Sequence, residues 1–458
     1  MTPDIKHVLQ KVKDNEITAV EANKIIKQLS HKKESAADYI IFTSTWEKYS
    51  LPVELAKYIN SYTESFAASS KRECILIFDF DTSVKNLFLK RLENVTSNIP
   101  DVISISKGET FNKIDEFTYE IELQKEDSYN VLINDLIKKN YSDVKVIHNW
   151  STISLNNDAI PIDDKLYLSF YSILFFTQSI QRNKTKFSLS FLYFYYSLNS
   201  IKDPVFAAIE GLINTITIEI PSFDFRTILV DLNEQKQKKL LPLLLITYSC
   251  VEFQVSKSNS VSIKYTGSKR HIKSYEKINS LPAEKSENKD GISLKKNGTY
   301  IITGGSGGLG KIFARFLAKE YNANVILTGR SKVNNNIETF LEELKLLGSQ
   351  PVYIQSDISK KDDVQKLLTD AKVKYNHVNG VIHAAGVNKD SFILNKQKDE
   401  IESVFASKIY GTLNLIEILK NEQLDCLILF SSFAAITGNE GQCDYSYANA
   451  FLDYTAEF

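Results

Sequence analysis

The run Thr299-Tyr-Ile-Ile-Thr-Gly-Gly-Ser-Gly-Gly-Leu-Gly310 passes from an apolar strand into a glycine loop, and the helix after it carries Ile312, Phe313, Phe316 and Leu317. Gly305, Gly307 and Gly310 satisfy GxGxxG, and Gly304, Gly308 and Gly310 after Thr303 equally satisfy TGxxxGxG. A Cβ would block so tight a turn and hold the backbone N–H groups away from a pyrophosphate, which the helix N-terminus then stabilises. Thr303, Gly304, Gly305, Ser306, Gly307, Gly308, Leu309 and Gly310 are therefore the expected cradle of a dinucleotide.

The next elements agree with it. The second strand, 324–328, ends in Gly329-Arg330-Ser331, about 20 residues past the glycines, where an NAD site places an acid on the ribose 2′-hydroxyl. With no acid there, the donor fork of Arg330 and the hydroxyl of Ser331 suit the 2′-phosphate of NADPH. A third strand, 351–356, leads to Asp357-Ile358, with Asp357 placed to accept from the adenine amino group. A fourth leads into His383-Ala384-Ala385-Gly386, whose small residues let a cofactor lie flat over the strand ends; His383 itself reads as a packing or hydrogen-bonding residue.

The 458 residues exceed one ordinary core and predict two or three domains of roughly 100–200 residues each. With 55 Lys+Arg against 56 Asp+Glu, no global field recommends nucleic acid or an anionic membrane as partner. Cys74, Cys250, Cys426 and Cys443 form neither a CxxC pair nor a metal array, which fits a reducing cytoplasm and predicts no metal. The N-terminus lacks a basic segment followed by an apolar core, and the apolar runs 166–180 and 187–201 carry too many Ser, Thr and Tyr for a membrane span.

Residues 1–34 show two short amphipathic patterns, read as a helical docking or linker element or else as an N-terminal decoration of the adjoining domain. From 35 to 278 strand and helix patterns alternate, predicting an α/β domain with a parallel sheet. Strands are expected at 74–78, 102–106, 144–149, 187–194, 225–231 and 251–255, and helices at 129–138, 166–180 and 204–219. After the first of these strands comes Asp79-Phe80-Asp81, where two carboxylates would repel a pyrophosphate, so this domain is expected to be structural. The polar stretch from Glu276 to Asn297 reads as a connection, with 279–297 as linker and 298–458 as the NADPH-binding domain.

The segments FSS (430–432), GQCDYSYANAFLD (441–453), KIYGTLNL (408–415) and HAAGV (383–387) resemble the ketoreductase domain of modular polyketide synthases, a branch of the short-chain dehydrogenase/reductase superfamily. TWEKY (45–49) and VFAAIEGLINTITIE (205–219) are similar to its truncated Rossmann-like structural subdomain, so the resemblance runs from about residue 38 to the end. It implies two Rossmann-like parallel sheets flanked by helices, the first degenerate and the second catalytic. It also implies Tyr445 as proton donor, Ser432 as its partner on the substrate carbonyl, and Lys408 and Asn449 completing the set. Most short-chain reductases carry the lysine four residues after the tyrosine; here Asn449 fills that slot and Lys408 arrives from the preceding helix, as in the polyketide group. The chemistry suits these types: hydride delivery leaves negative charge on oxygen, a phenol beside an ammonium is a better acid, and a serine hydroxyl steadies the oxyanion. Tyr447 is a rival, but Tyr445 lies one helical turn before Asn449 and shares its face.

By the same resemblance, Asp390 resembles the marker of the stereochemical class giving a D-configured alcohol, and Thr437 stands where the opposite class shows Trp. The implied substrate is a β-ketoacyl thioester on the phosphopantetheine of an acyl carrier protein, with neighbouring synthase domains as partners. A noncatalytic scaffold and a free-standing NADP-dependent alcohol dehydrogenase are the competing readings. Five strands are expected in the second domain, whereas the family adds a sixth and then a lid, so the chain reads as a fragment or as one half of a split reductase.

Overall fold

The computed structural model describes residues 41–49, 72–93, 99–155, 160–232, 235–255, 261–278 and 294–457. The expected N-terminal helix pair and most of the linker lie outside the described residues. Residues 41–45 and 274–278 belong to a small unit of their own, in which the Thr45 and Ser274 hydroxyls hydrogen-bond at 2.8 Å.

Eleven strands among the described residues form the first sheet. They are β1 (Ile41–Tyr49), β2 (Glu73–Phe78), β3 (Asp101–Gly108), β4 (Asn112–Asp115), β5 (Thr118–Glu122), β6 (Asp143–His148), β7 (Ser188–Leu198), β8 (Ile201–Lys202), β9 (Asp224–Leu232), β10 (Ser262–Thr266) and β11 (Lys269–Ile278). Their order is β1-β11-β10-β9-β7-β6-β2-β3-β5-β4, with β8 hairpinned onto β7. The run from β10 to β5 is parallel throughout, and its strands β2, β7 and β9 are buried along most of their length because helices cover both faces. The helices used below are α1 (Ser83–Glu93), α2 (Glu126–Lys138), α3 (Ser172–Arg182), α4 (Ile209–Glu219) and α5 (Leu241–Glu252).

Two expectations need correction here. Residues 251–255, read as a strand from their β-branched and aromatic content, are instead the end of α5 and the turn after it. Pro242 starts that helix in its first turn, and the fully buried Glu252 carboxylate at its end is clamped by Arg270 (2.6 and 2.9 Å) and Arg226 (3.1 Å), a tertiary constraint that overrides local propensity. Glu276–Ile278, assigned to the polar connection, complete β11.

The second sheet has order β14-β13-β12-β15-β16 and every pairing is parallel. Its strands are β12 (Thr299–Thr303), β13 (Asn324–Gly329), β14 (Val352–Gln355), β15 (Gly380–His383) and β16 (Cys426–Leu429). Between them run α6 (Gly308–Tyr321), α7 (Asn335–Leu346), α8 (Lys361–Tyr375), α9 (Lys398–Phe405) and α10 (Gly411–Leu419), and after them α11 (Cys443–Glu457). One buried cluster on this sheet centres on Tyr300, Leu317, Leu327 and Phe340, another on Ile326, Leu367, Val381 and Leu415.

The two sheets share a core through α11. Phe170 meets Phe405 at 5.0 Å and Tyr447 at 4.9 Å between ring centroids, contacts worth about 0.5–1.5 kcal/mol each beyond their burial. Gly211 of α4 lies so close to α11 that a Cβ there would sit 2.4 Å from the Ser446 carbonyl oxygen. A helix of the first sheet thus forms the bed of α11.

Candidate active site

The glycine turn begins where β12 ends. Gly304 has φ +64°, and a Cβ on it would lie 2.8 Å from Ala385 Cα; one on Gly310 would lie 2.5 Å from Gly304 O. Neither position tolerates a side chain. The Gly307 N–H donates to Gly304 O at 2.9 Å and Gly307 caps α6 with no side-chain bond, while Gly307, Gly308 and Leu309 face outward. The result is a bare helix N-terminus on a close-packed turn, the form an anion site takes. Thr303 is fully buried, and its hydroxyl bonds His383 Nδ1 at 2.7 Å and accepts from Ala385 N–H at 3.3 Å, joining the turn to the next strand end. Burial and the nearby Lys408 push His383 down to about 3, so its ring is a neutral hydrogen-bonding group.

At the end of β13 the Arg330 and Ser331 side chains are exposed while their backbone is tied down. Gln355 Nε2 donates to Arg330 O at 2.9 Å and Tyr353 OH to Ser331 O at 2.7 Å. Asp357 Oδ1 accepts from the Ser359 N–H and hydroxyl at 3.1 and 2.7 Å. The Ile358 side chain turns into the core, and its carbonyl accepts from Asn414 at 3.0 Å.

Lys408 sits in a widened π turn, Ala406–Tyr410, between α9 and α10, an irregularity frequent at functional sites. Its side chain is buried; Nζ donates to Phe430 O at 3.0 Å and lies 5.5 Å from the centroid of the Tyr445 ring. A Cβ on Gly386 would come within 3.0 Å of Lys408 Cε, so the lysine lies directly beneath the Ala384–Gly386 loop. Burial lowers the Lys408 ammonium to about 8, with Asp453 opposing the shift. Asn449 stands one turn after Tyr445; Nδ2 donates to Tyr445 O at 2.7 Å, while its fully buried Oδ1 has no protein partner. Ser432 follows β16 two residues after Phe430, its hydroxyl accepting from Ala434 N–H at 3.3 Å. The rival Tyr447 is fully buried and donates to Val205 O at 2.8 Å, a packing role in the bed of α11.

Asp390 is exposed on the loop after β15, and its Oδ1 accepts from Gln442 Nε2 at 3.0 Å. Thr437 donates to the Phe433 carbonyl at 3.2 Å. Among the described residues no cluster of His, Cys, Asp and Glu could hold a metal, and no helix is long and apolar enough to cross a membrane.

Residues 298–458 match the family model described as KR domain, and residues 73–247 match one described as Beta-ketoacyl synthase-like, N-terminal. Polyketide synthase PksM of Bacillus subtilis (strain 168) is 30% identical over 397 residues, 86% of this chain and 9% of that protein. PksL of the same organism is 30% identical over 341 residues, 74% of this chain and 7% of that protein. A crystal structure of an N-terminal ketoreductase from a macrolactin assembly line superposes with a TM-score of 0.76 at 26% identity, covering 100% of this chain and 86% of that one. Residues 298–458 belong to the KR domain family. A ketoreductase domain from the bacillaene assembly line, 24% identical with a TM-score of 0.58, shares the fold. KR domains are reductases that use a nicotinamide cofactor, and this chain spans less than a tenth of the length of the two curated relatives.

Around this ketoreductase site stand groups that sequence reasoning missed: Glu219, Lys396, Asp444 and Gln442. Asp444 directly precedes Tyr445, yet nothing in the sequence pairs it with Lys396, 48 residues away.

Proposed function

We propose that the chain reduces a β-ketoacyl thioester, carried on the phosphopantetheine of an acyl carrier protein, to the D-configured β-hydroxyacyl thioester with NADPH. The carrier and the flanking synthase domains are its partners, and the cytoplasm is its compartment. The observation that carries this reading is the place of Lys408, whose ammonium lies between the Ala384–Gly386 loop and the Tyr445 ring.

The residues present fit a dinucleotide. Gly304 and Gly310 leave room only for backbone, α6 offers uncapped N–H groups to the pyrophosphate, and the exposed Arg330 and Ser331 suit a 2′-phosphate. Ser306 to Leu309, Asp357 and Ala384 to Gly386 line the remaining cofactor surface, with the buried Thr303 and Ile358 supporting it from beneath. Bound there, NADPH supplies the hydride that the carbonyl carbon receives. Tyr445 gives its phenolic proton to the carbonyl oxygen as that bond forms, and the Ser432 hydroxyl donates to the same oxygen. Lys408 stabilises the phenolate left on Tyr445, and Asn449 Oδ1, buried and unpartnered, is an acceptor ready for Lys408 or a relay water. The Asp390 loop borders the substrate and sets which face of the carbonyl is presented.

The test offers NADPH or NADH with a β-ketoacyl thioester mimic or a simple ketone, following absorbance of the reduced nicotinamide and then the chirality of the product. Preferential oxidation of NADPH by the thioester, giving the D alcohol, is expected. Equal turnover of simple ketones points to an alcohol dehydrogenase, and binding without turnover points to a scaffold.

A further inference from the structure

Beside the Tyr445 end of α11, charged groups from both sheets converge on two loops. Glu219, the last residue of α4, accepts from Ile393 N–H at 2.7 Å and from Gly441 N–H at 2.9 Å, so one carboxylate bridges the loop after β15 and the loop before α11. Lys396, with a fully buried side chain, donates from Nζ to Lys389 O, to Gly441 O at 3.2 Å and to Asp444 Oδ1 at 3.0 Å. The same Asp444 oxygen accepts the Tyr445 N–H at 2.9 Å. Around them Ser391 N–H donates to Gly441 O at 2.9 Å, and Gln178 of α3 holds the carbonyls of Ile393 and Lys396 at 2.8 and 3.0 Å.

A buried ion pair is a weak source of stability, because desolvating both charges offsets their attraction; what it supplies is a fixed geometry. Here every bond of the pair ends on the backbone flanking Asp390 or on the residues that open α11. Gly441, where three of these bonds meet, has φ +75°, a conformation that suits glycine. Lys396 meets the Lys389 carbonyl directly and reaches the Tyr445 N–H through Asp444 Oδ1, while Glu219 holds the backbone of Ile393 and Gly441; neither residue lies on the glycine turn.

We propose that Lys396 and Glu219 are positioning residues: together they latch the Asp390 loop to the Tyr445 end of α11, and so fix the face on which the substrate carbonyl meets the proton donor. The proposal rests on the ketoreductase reading for its chemical readout. Its consequence is that loosening the latch erodes product configuration and turnover, while cofactor binding at the glycine turn is spared.

The decisive variants are Glu219→Gln and the double change Lys396→Met/Asp444→Leu, which removes both charges together and so leaves no unpaired ion in the core. Each is made in the whole chain and measured for melting temperature, NADPH affinity, turnover of the β-ketoacyl thioester mimic, the ratio of the two alcohols, and amide hydrogen exchange. Wild-type-like melting and NADPH affinity are expected, with exchange at Ser391, Ile393 and Gly441 faster by at least about tenfold. The kcat is expected to fall at least about tenfold while the ratio of alcohols moves toward unity. A folded variant with wild-type exchange, kcat and product ratio overturns the proposal. So does a variant whose losses are all recovered when its melting temperature is restored by a stabilising additive. Absence of turnover in the wild type would instead strike the ketoreductase reading, and the exchange measurement would still decide whether the latch exists.

Discussion

Each sheet has a strand-turn-helix unit at its middle, and the two turns differ in what meets the helix N-terminus. After β2, Asp79 accepts from the Phe80 N–H at 2.8 Å and from Asn149 Nδ2 at 3.1 Å, and Asp81 accepts from the Ser83 N–H at 2.7 Å at the start of α1. Asn149 in turn receives the hydroxyl of Tyr196. After β12 no side chain plays that part: the turn is Gly304 to Gly310 and α6 begins uncapped. An anion site arises where the chain withholds its own acceptors, and a structural turn where it supplies them. Burial pushes Asp79 up to about 6, the mark of a carboxyl absorbed into the fold. The first sheet thus spends its polar groups on itself and lends α4 as a bed for α11; the second leaves its own open.

The sharpest way to break this contrast is Gly304→Ala. Its φ of +64° and the 2.8 Å approach to Ala385 predict an NADPH affinity lower by more than about a hundredfold, read by the fluorescence of the reduced nicotinamide. An affinity within about twofold of wild type would deny that this turn holds the cofactor. Next is Arg330→Asp, expected to weaken NADPH roughly thirtyfold and NADH little, because only the former carries the 2′-phosphate. Equal loss of both would remove Arg330 from that contact.

Acidity gives a third test. Lys408 lies at about 8 in the folded chain against 10.5 for an ordinary lysine, so its ammonium is lost as pH rises through about 8, and turnover is predicted to fall there with a single ionisation. The effect on stability has the opposite sense. Between about 8 and 10.5 the unfolded chain binds more protons than the folded one, so the cost of the buried ammonium is full below that window and fades across it as pH rises. Lys408→Met is therefore expected to be more stable than wild type, with the largest gain below pH 8; a gain that grows with pH would contradict this. The smallest effect belongs to Asp81→Ala, which should cost about 1 kcal/mol in denaturant unfolding and leave NADPH affinity unchanged.

The glycine turn was legible because its chemistry is local: strand, glycines and helix lie in one run from Thr299 to Leu317, and the structure adds only the contact with Ala385 that makes Gly304 necessary. That Tyr445 and Tyr447 face different surroundings was legible from helical spacing: Asn449 Nδ2 reaches the Tyr445 carbonyl one turn back, while Tyr447 is buried and donates to Val205 O. Residues 251–255 misled because Val and Phe signal a strand locally, while Glu252 is held in a helix by two arginines from distant strands. The strands β4, β5, β10 and β11 escaped notice because they are short or polar and sit toward the sheet edges, where one face is less buried and alternation weakens. Lys396 and Glu219 were invisible for a stronger reason: one is an ordinary charged residue in a loop and the other at a helix end until the fold brings backbone from other segments to them.

The central claim is that Tyr445, and not its near neighbour in the chain, delivers the proton beside a cofactor held by the second turn. Tyr445→Phe in the whole chain, with NADPH and a β-ketoacyl thioester mimic, tests it most directly. The account predicts NADPH affinity as in wild type and turnover lower by about a hundredfold or more. Wild-type turnover in Tyr445→Phe, with NADPH still bound, would contradict it.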